Sequence, residues 1–305
     1  MSYNRVRFYV SSQIGRFAVG SEESMEIYFY KLHGLGNDMI VIDDREGRIA
    51  PYDMGRVARK LCNRRLGIGG DCLLAAKNSD IADIAMLVYN SDGTQAQMCG
   101  NGIRCFSRVV YEAGWIPYDG FTVETLSGVK RPQLLLMDGE VKAVRVDMGV
   151  PSFLTGDIPM DVDCEEFIRQ PIEAAGREFI ATAVNTGIPQ LVVFVDDVRS
   201  LDIEKYGLPL EHNALFPEKT NVSFVEIEDR RSVILRTWER GCGATLCCGT
   251  GATAVAAACM KSGLTEKVVN VRVPLGSLRI EWDGENNIYM SGPAEKVFEG
   301  RAFID

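Results

Sequence analysis

Histidine is nearly absent from this 305-residue chain, which has only His33 and His212. Among the clustered cysteines Cys242, Cys247 and Cys248 there is no C-x-x-C pair. Together these two shortages exclude the ligand spacing of a zinc site, and no metal is expected. No apolar run approaches the roughly 20 residues that span a bilayer, and no secretory signal is recognisable. Basic residues are in the minority, 33 Lys and Arg against 42 Asp and Glu, for a net charge of −9. With no basic stripe carrying interleaved aromatics, nucleic acid is excluded as a partner. The nine cysteines are odd in number and irregularly spaced, which excludes a disulfide scaffold and points to a reducing cytoplasm. What remains is a soluble, acidic chain, 46% hydrophobic and long enough for two domains.

The first 24 residues differ from the rest, with Arg5, Arg7 and Arg16 among scattered serines. They read as an extension outside the core fold, with a short transit peptide as the alternative. From Met25 onward, short β-like runs alternate with helices. Ile27–Leu32 and Met39–Asp43 read as strands and Tyr52–Leu61 as a helix. Strands follow at Ile84–Tyr89, Phe121–Glu124, Gln133–Met137 and Val141–Asp147. After Met148-Gly149-Val150-Pro151 the pattern starts again, with strands at Phe179–Val184, Leu191–Val195, Asn221–Glu228 and Ser232–Trp238. It closes with Val268–Val273, Leu278–Trp282 and Ile288–Ser291.

Each half also carries one Cys-Gly-x-Gly just ahead of a helix. Cys99-Gly100-Asn101-Gly102 precedes Ile103–Tyr111, and Cys248-Gly249-Thr250-Gly251 precedes the alanine-rich Ala252–Met260. A thiol there meets backbone N–H groups that lack intrahelical partners and the positive end of the helix dipole, which favours the reactive thiolate. The repetition implies an internal duplication. The fold expected is α+β, with two pseudo-symmetric lobes, each a curved, mostly antiparallel sheet around a central helix, and a cleft between them. The lobes are expected at 25–147 plus 292–305 and at 148–291.

Two like groups on opposite sides of one atom suit inversion of a stereocentre, where one removes a proton and the other returns it. Helix-start amides can hold the carboxylate of an amino acid and the charge that develops on it. A dinucleotide turn at Gly249-Thr250-Gly251-Ala252-Thr253-Ala254 lacks both the preceding strand and the downstream acid, so no cofactor is expected. Cys62, Cys105, Cys164 and Cys259 read as small buried hydrophobes.

Several motifs resemble the diaminopimelate epimerase family. They are Lys31-Leu32-His33-Gly34-Leu35-Gly36-Asn37-Asp38, Gly67-Ile68-Gly69-Gly70-Asp71, Asn90-Ser91-Asp92-Gly93, Met98 to Cys105, Thr220-Asn221-Val222, and Trp238-Glu239-Arg240-Gly241 leading to Cys248-Gly249-Thr250-Gly251. The likeness runs in order from about Met25 to near the C-terminus. It implies a cofactor-independent isomerase of lysine and peptidoglycan-precursor biosynthesis that converts L,L-diaminopimelate to the meso form, in the cytoplasm and as a homodimer. Carried over, it implies Cys99 and Cys248 as the proton-transfer pair with Glu239 beside the second thiol. It implies Gly100, Asn101, Gly249 and Thr250 at the reacting carboxylate, and Asn37, Asn90, Asn221 and Arg240 around the remainder of the substrate.

Four departures from the family pattern bear on specificity. Ile188 and Gln190 stand where Gly-Asn-Pro-His is usual, Ala244 stands where Glu is common, and Cys72 stands in place of Gly or Gln. They keep two alternatives open: a racemase of another amino acid with a smaller or less polar far end, and a non-catalytic small-molecule binder of the same fold.

Overall fold

The alternating runs of both halves fold into two sheets in a computed structural model that describes residues 25–49 and 52–304. The extension expected over 1–24 lies outside the described residues. Among the described residues four α-helices accompany the sheets: α1 (Met54–Cys62), α2 (Gly100–Glu112), α3 (Ile203–Glu211) and α4 (Gly249–Lys261). The architecture is α+β, and most strand pairs are antiparallel.

The two halves use one wiring plan. In the first, the hairpin Met25–Gly34/Asn37–Asp43 leads through α1 to Cys72–Lys77, which pairs parallel with Asn37–Asp43. Ile84–Asn90 then pairs antiparallel, α2 follows, and Val123–Thr125 returns parallel to Ile84–Asn90. In the second, the hairpin Arg177–Asn185/Pro189–Phe194 leads through α3 to the parallel strand Asn221–Asp229. Ser232–Glu239 pairs antiparallel, α4 follows, and Val268–Val273 returns parallel. Aspartates cap both first helices, Asp53 accepting from Gly55 N at 2.9 Å and Asp202 from Lys205 N at 3.1 Å.

α2 and α4 are the centres of the two cores. α2 buries Ile103, Cys105, Phe106, Val109 and Val110 among strands, and α4 is buried along most of its length. Its run of alanines lets backbone approach from all sides without a polar atom to satisfy. The expected helices over Ile103–Tyr111 and Ala252–Met260 begin earlier, at Gly100 and Gly249, so the glycines are the first turn rather than a linker.

The division expected at Asp147/Met148 does not follow the hydrogen bonding. Gln133–Met137 and Glu140–Asp147 pair into the second sheet, where Glu140–Asp147 lies beside Tyr289–Gly292. Their inward residues Leu134, Val141, Val144 and Val146 nevertheless pack against α2. At the other end of the chain, Glu295–Ile304 runs antiparallel along Met25–Gly34 in the first sheet. The chain thus crosses between the two sheets twice, and the second crossing, at Gly292 and Pro293, lies against Arg104 of α2.

α3 and the strands Cys72–Lys77 and Gln170–Ala174 escaped the sequence reading. α3 carries Gly207 and Pro209 in its interior, two residues that argue against a helix. Packing explains the glycine: a Cβ there would lie 2.5 Å from the Trp238 ring. Gly207→Ala is therefore expected to destabilise the fold by about 1–3 kcal/mol through overpacking. The check is chemical denaturation, with the loss appearing in the midpoint at unchanged slope.

Candidate active site

The N-termini of α2 and α4 are the sites where the two cysteines sit. Cys99 and Cys248 are the N-caps, both in extended conformation, with φ/ψ of −134/115 and −115/115. Each sulfur accepts from the amide three residues on, Gly102 N at 3.2 Å and Gly251 N at 3.4 Å. Glycine fits a tight space at that position. A Cβ on Gly102 would stand 3.0 Å from Cys99 Cβ, and one on Gly251 would stand 3.0 Å from Ser223 Oγ. The Cys-Gly-x-Gly spacing is thus the geometry of a sulfur N-cap.

The helix starts meet across Met290 and Asn101. Met290 Cε lies 3.7 Å from a Cβ built on Gly100 and 3.3 Å from one built on Gly249. Asn101 Nδ2 donates across the lobes to Cys247 O at 3.1 Å and within its own lobe to Asn37 Oδ1 at 3.2 Å. Its Oδ1 accepts from the Arg104 guanidinium at 2.9 Å, so the whole Asn101 amide is engaged.

Matched backbones carry different electrostatics. Cys99 is partly accessible and its pKa lies below the ordinary thiol value. The chief cause is a hydrogen bond from the Cys72 thiol, with the Gly102 and Asn101 amides and the Arg104 charge adding to it against the opposing effect of burial. Cys72, which keeps its proton to make that bond, is pushed well above its usual value. Cys248 is buried and pushed well above the ordinary value, first by burial and then by the Glu239 carboxylate beside it. Its sulfur also lies 3.2 Å from Thr250 Oγ1. The two sulfurs are therefore driven in opposite directions, Cys99 toward thiolate and Cys248 toward thiol.

The remaining sequence candidates fall into supporting layers. Glu239, hydrogen-bonded to the Cys248 thiol, accepts from Thr245 Oγ1 at 2.6 Å. Gln190 is fully buried and points at Thr250, donating from Nε2 to Oγ1 at 3.1 Å. This leaves the threonine hydroxyl hydrogen for the Cys248 sulfur. Asn37 gives its Nδ2 to Asp71 at 2.7 Å, and Arg64 holds both Asp71 and Asp38. Burial pushes Asp38 up, but its bonds to Arg64 and Lys31 outweigh it and hold the carboxyl at about 2. Asn221 is buried and accepts from Arg240 N at 2.7 Å. The Arg240 guanidinium is exposed and donates to Glu218 O at 2.8 Å. Asn90 pairs with Cys72 across the sheet and bonds Thr94, Ile188 is half-buried, and Ala244 is exposed beside Trp238.

Two residues were missed. Glu211, buried on α3, accepts from Trp238 Nε1 at 2.7 Å and Gly241 N at 3.1 Å, and so holds the turn that carries Glu239 and Arg240. Arg104 is fully buried, yet it stood in a recognised motif without a role. Among the cysteines read as buried hydrophobes, Cys62, Cys105 and Cys259 are buried and pushed up to about 12 by desolvation. Cys164 corrects the expectation: it is exposed, in a loop that packs no core.

Residues 29–154 and 182–297 match the model of the family described as diaminopimelate epimerase. A diaminopimelate epimerase of Caldanaerobacter subterraneus is 44% identical over 276 residues, covering 90% of this chain and 99% of that protein. One from Desulforudis audaxviator is 45% identical over 274 residues, covering 90% and 98%. Among solved structures, a hydroxyproline epimerase of Agrobacterium vitis superposes with a TM-score of 0.65 at 18% identity, covering 93% of each chain. A PhzF-family phenazine biosynthesis protein of Bacillus anthracis gives a TM-score of 0.67 at 15% identity, covering 92% of this chain and 100% of that one. At such identities these structures speak for the two-lobe fold.

The unequal thiols have a direct chemical consequence. Iodoacetamide at neutral pH is expected to label Cys99 well ahead of Cys248 and Cys72, with exposed Cys164 as the internal reference, as read by peptide mass spectrometry. Equal labelling of Cys99 and Cys248 would remove the asymmetry.

Proposed function

This chain belongs to the diaminopimelate epimerase family, and from that premise we propose that it interconverts L,L- and meso-diaminopimelate by proton transfer between Cys99 and Cys248. The observation that carries the reading is the pair of sulfur-capped helix starts, one favouring thiolate and the other thiol.

The Cys99 thiolate removes the α-proton from one face, and the Cys248 thiol donates its own proton to the other. Each sulfur ends in the partner's initial state, and the reverse reaction exchanges their roles. Charge leaving the α-carbon spreads into the carboxylate, which the opening amides of Gly100, Asn101, Gly249 and Thr250 receive. Glu239 accepts a hydrogen bond from the Cys248 thiol, which keeps its proton until the substrate carbon takes it. Donating that proton to substrate lets the sulfur fall back on the Gly251 amide and the Thr250 hydroxyl.

The far end of the substrate lies toward Asn37, Asn90, Asn221 and Arg240. Arg240 presents an exposed guanidinium shaped for bidentate contact with a second carboxylate, and Ile188 supplies an apolar wall. Gln190 acts through Thr250 on Cys248 rather than on the substrate. The reading includes the lobe limits given above, a cytoplasmic setting and a homodimer. Among the described residues no helix is long and apolar enough to cross a membrane.

The deciding experiment is α-proton exchange in D₂O under reducing conditions, with L,L-diaminopimelate, lysine, histidine and glutamate offered separately and followed by NMR. Exchange with diaminopimelate alone is expected. Exchange only with another amino acid would point to a sister racemase, and no exchange at all to a non-catalytic binder. Cys99→Ala and Cys248→Ala should each lower epimerisation by about a hundredfold or more. Unchanged turnover in either variant would exclude the two-thiol mechanism. Gln190→Leu should lower kcat with KM nearly unchanged, since it removes the donor that orients Thr250 and leaves the far end of the substrate alone.

A further inference from the structure

Arg104 is the largest of the fully buried side chains, and its charge has no carboxylate partner among the described residues. Its donors go to neutral groups: Nε to Pro293 O at 3.2 Å, and Nη1 to Gly100 O at 3.3 Å and Asn101 Oδ1 at 2.9 Å, with Met290 Sδ 3.8 Å away. Nη2 is buried with no hydrogen-bond partner. A guanidinium stays charged in a protein, and burying one without an opposing charge is costly. The side chain leans back along α2 toward its N-terminus, as helical side chains do, so the guanidinium lies under the first turn, where Cys99 is the cap.

The other titratable groups near Cys99 do not balance that charge. Cys72, on the strand Cys72–Lys77, keeps its proton. Cys105 on α2 and Cys247 ahead of α4 are pushed up to about 12 and about 11 and stay neutral. On the α4 side, the Glu239 carboxylate is directed to Cys248.

We propose that Arg104 is a positioning residue, the buried counter-charge of the anionic centre formed by the Cys99 thiolate and the substrate's reacting carboxylate. It acts through Asn101 and the first turn of α2, touching neither sulfur nor substrate. The contacts of Asn101 with Asn37 and Cys247 O link the residue that holds this charge to both lobes. The carboxylate half of this proposal rests on the epimerase reading; the thiolate half does not, and the test separates them.

The pH dependence of iodoacetamide alkylation at Cys99, followed by peptide mass spectrometry without substrate, reports the thiolate alone. In Arg104→Met its midpoint should rise by about one unit or more, and Arg104→Lys should recover most of the shift. With substrate, kcat/KM at neutral pH should fall at least about tenfold, with its acidic limb displaced in the same direction. A purely structural role would lower thermal stability and leave the midpoint in place, which would overturn the proposal. Gly34→Ala supplies a second variant, because its Cβ would lie 2.8 Å from Arg104 Nη2 and displace the guanidinium without removing its charge. A raised midpoint in Gly34→Ala supports the assignment even if Arg104→Met does not fold, and an unmoved one overturns it. A shifted thiolate in a protein that exchanges no diaminopimelate proton would uphold the role of Arg104 while rejecting the substrate.

Discussion

The buried helix start is the constraint on which the rest of the structure turns. An α-helix leaves its opening amides without internal partners, and solvent cannot serve them once the end is enclosed. Here two such ends are enclosed together between the lobes, and sulfur caps each one. The cap leaves little space at the third position after cysteine, where a Cβ would stand 3.0 Å from Cys99 Cβ in one lobe and 3.0 Å from Ser223 Oγ in the other. It also demands an extended cysteine, which the preceding short strands Gln95–Ala96 and Gly243–Thr245 provide. What satisfies the backbone is therefore the same arrangement that prepares the sulfur for proton transfer.

Duplication supplies the symmetry, and single side chains then break it. Ala96 and Thr245 hold equivalent places three residues before their cysteines, opposite Val88 and Thr237. Following that register, Cys72 corresponds to Asn221, Leu74 to Ser223, Met39 to Gln190 and Asn90 to Glu239. In the first lobe the sulfur thus receives a thiol proton and sits over a buried cation. In the second it faces a carboxylate, with a hydroxyl oriented by a glutamine. One backbone produces a base in one lobe and an acid in the other. The Cys72 and Gln190 departures from the family pattern fall on the side chains that set this difference, whereas Ile188 and Ala244 lie nearer the rim.

Much of this was legible in the residues. Alternating runs bounded by glycine turns located most strands, and the two Cys-Gly-x-Gly motifs located both central helices, though each begins three residues earlier than its apolar run. What escaped depended on distant neighbours. α3 holds Gly207 and Pro209 against propensity because Trp238 packs on the glycine, a contact between segments some thirty residues apart. The strands 133–147 belong by side-chain packing to α2 and by hydrogen bonding to the second sheet, a division that no local pattern encodes. Arg104 was visible as a letter in a motif, but the missing carboxylate that gives it meaning is a property of three-dimensional space.

The cross-lobe contacts decide how the two centres can work as a unit. Asn101 is anchored to α2 by its backbone, to Asn37 and Arg104 by its amide, and to the second lobe through Cys247 O. Asn37 is in turn fixed by Asp71, and Asp71 by Arg64. Parting the lobes would break the Asn101–Cys247 bond and wet the buried guanidinium, weakening its field on the cleft as the local dielectric rises. The two centres are thus joined at a single residue: the Asn101 amide that bonds the second lobe at Cys247 O also holds the guanidinium beneath the Cys99 helix start.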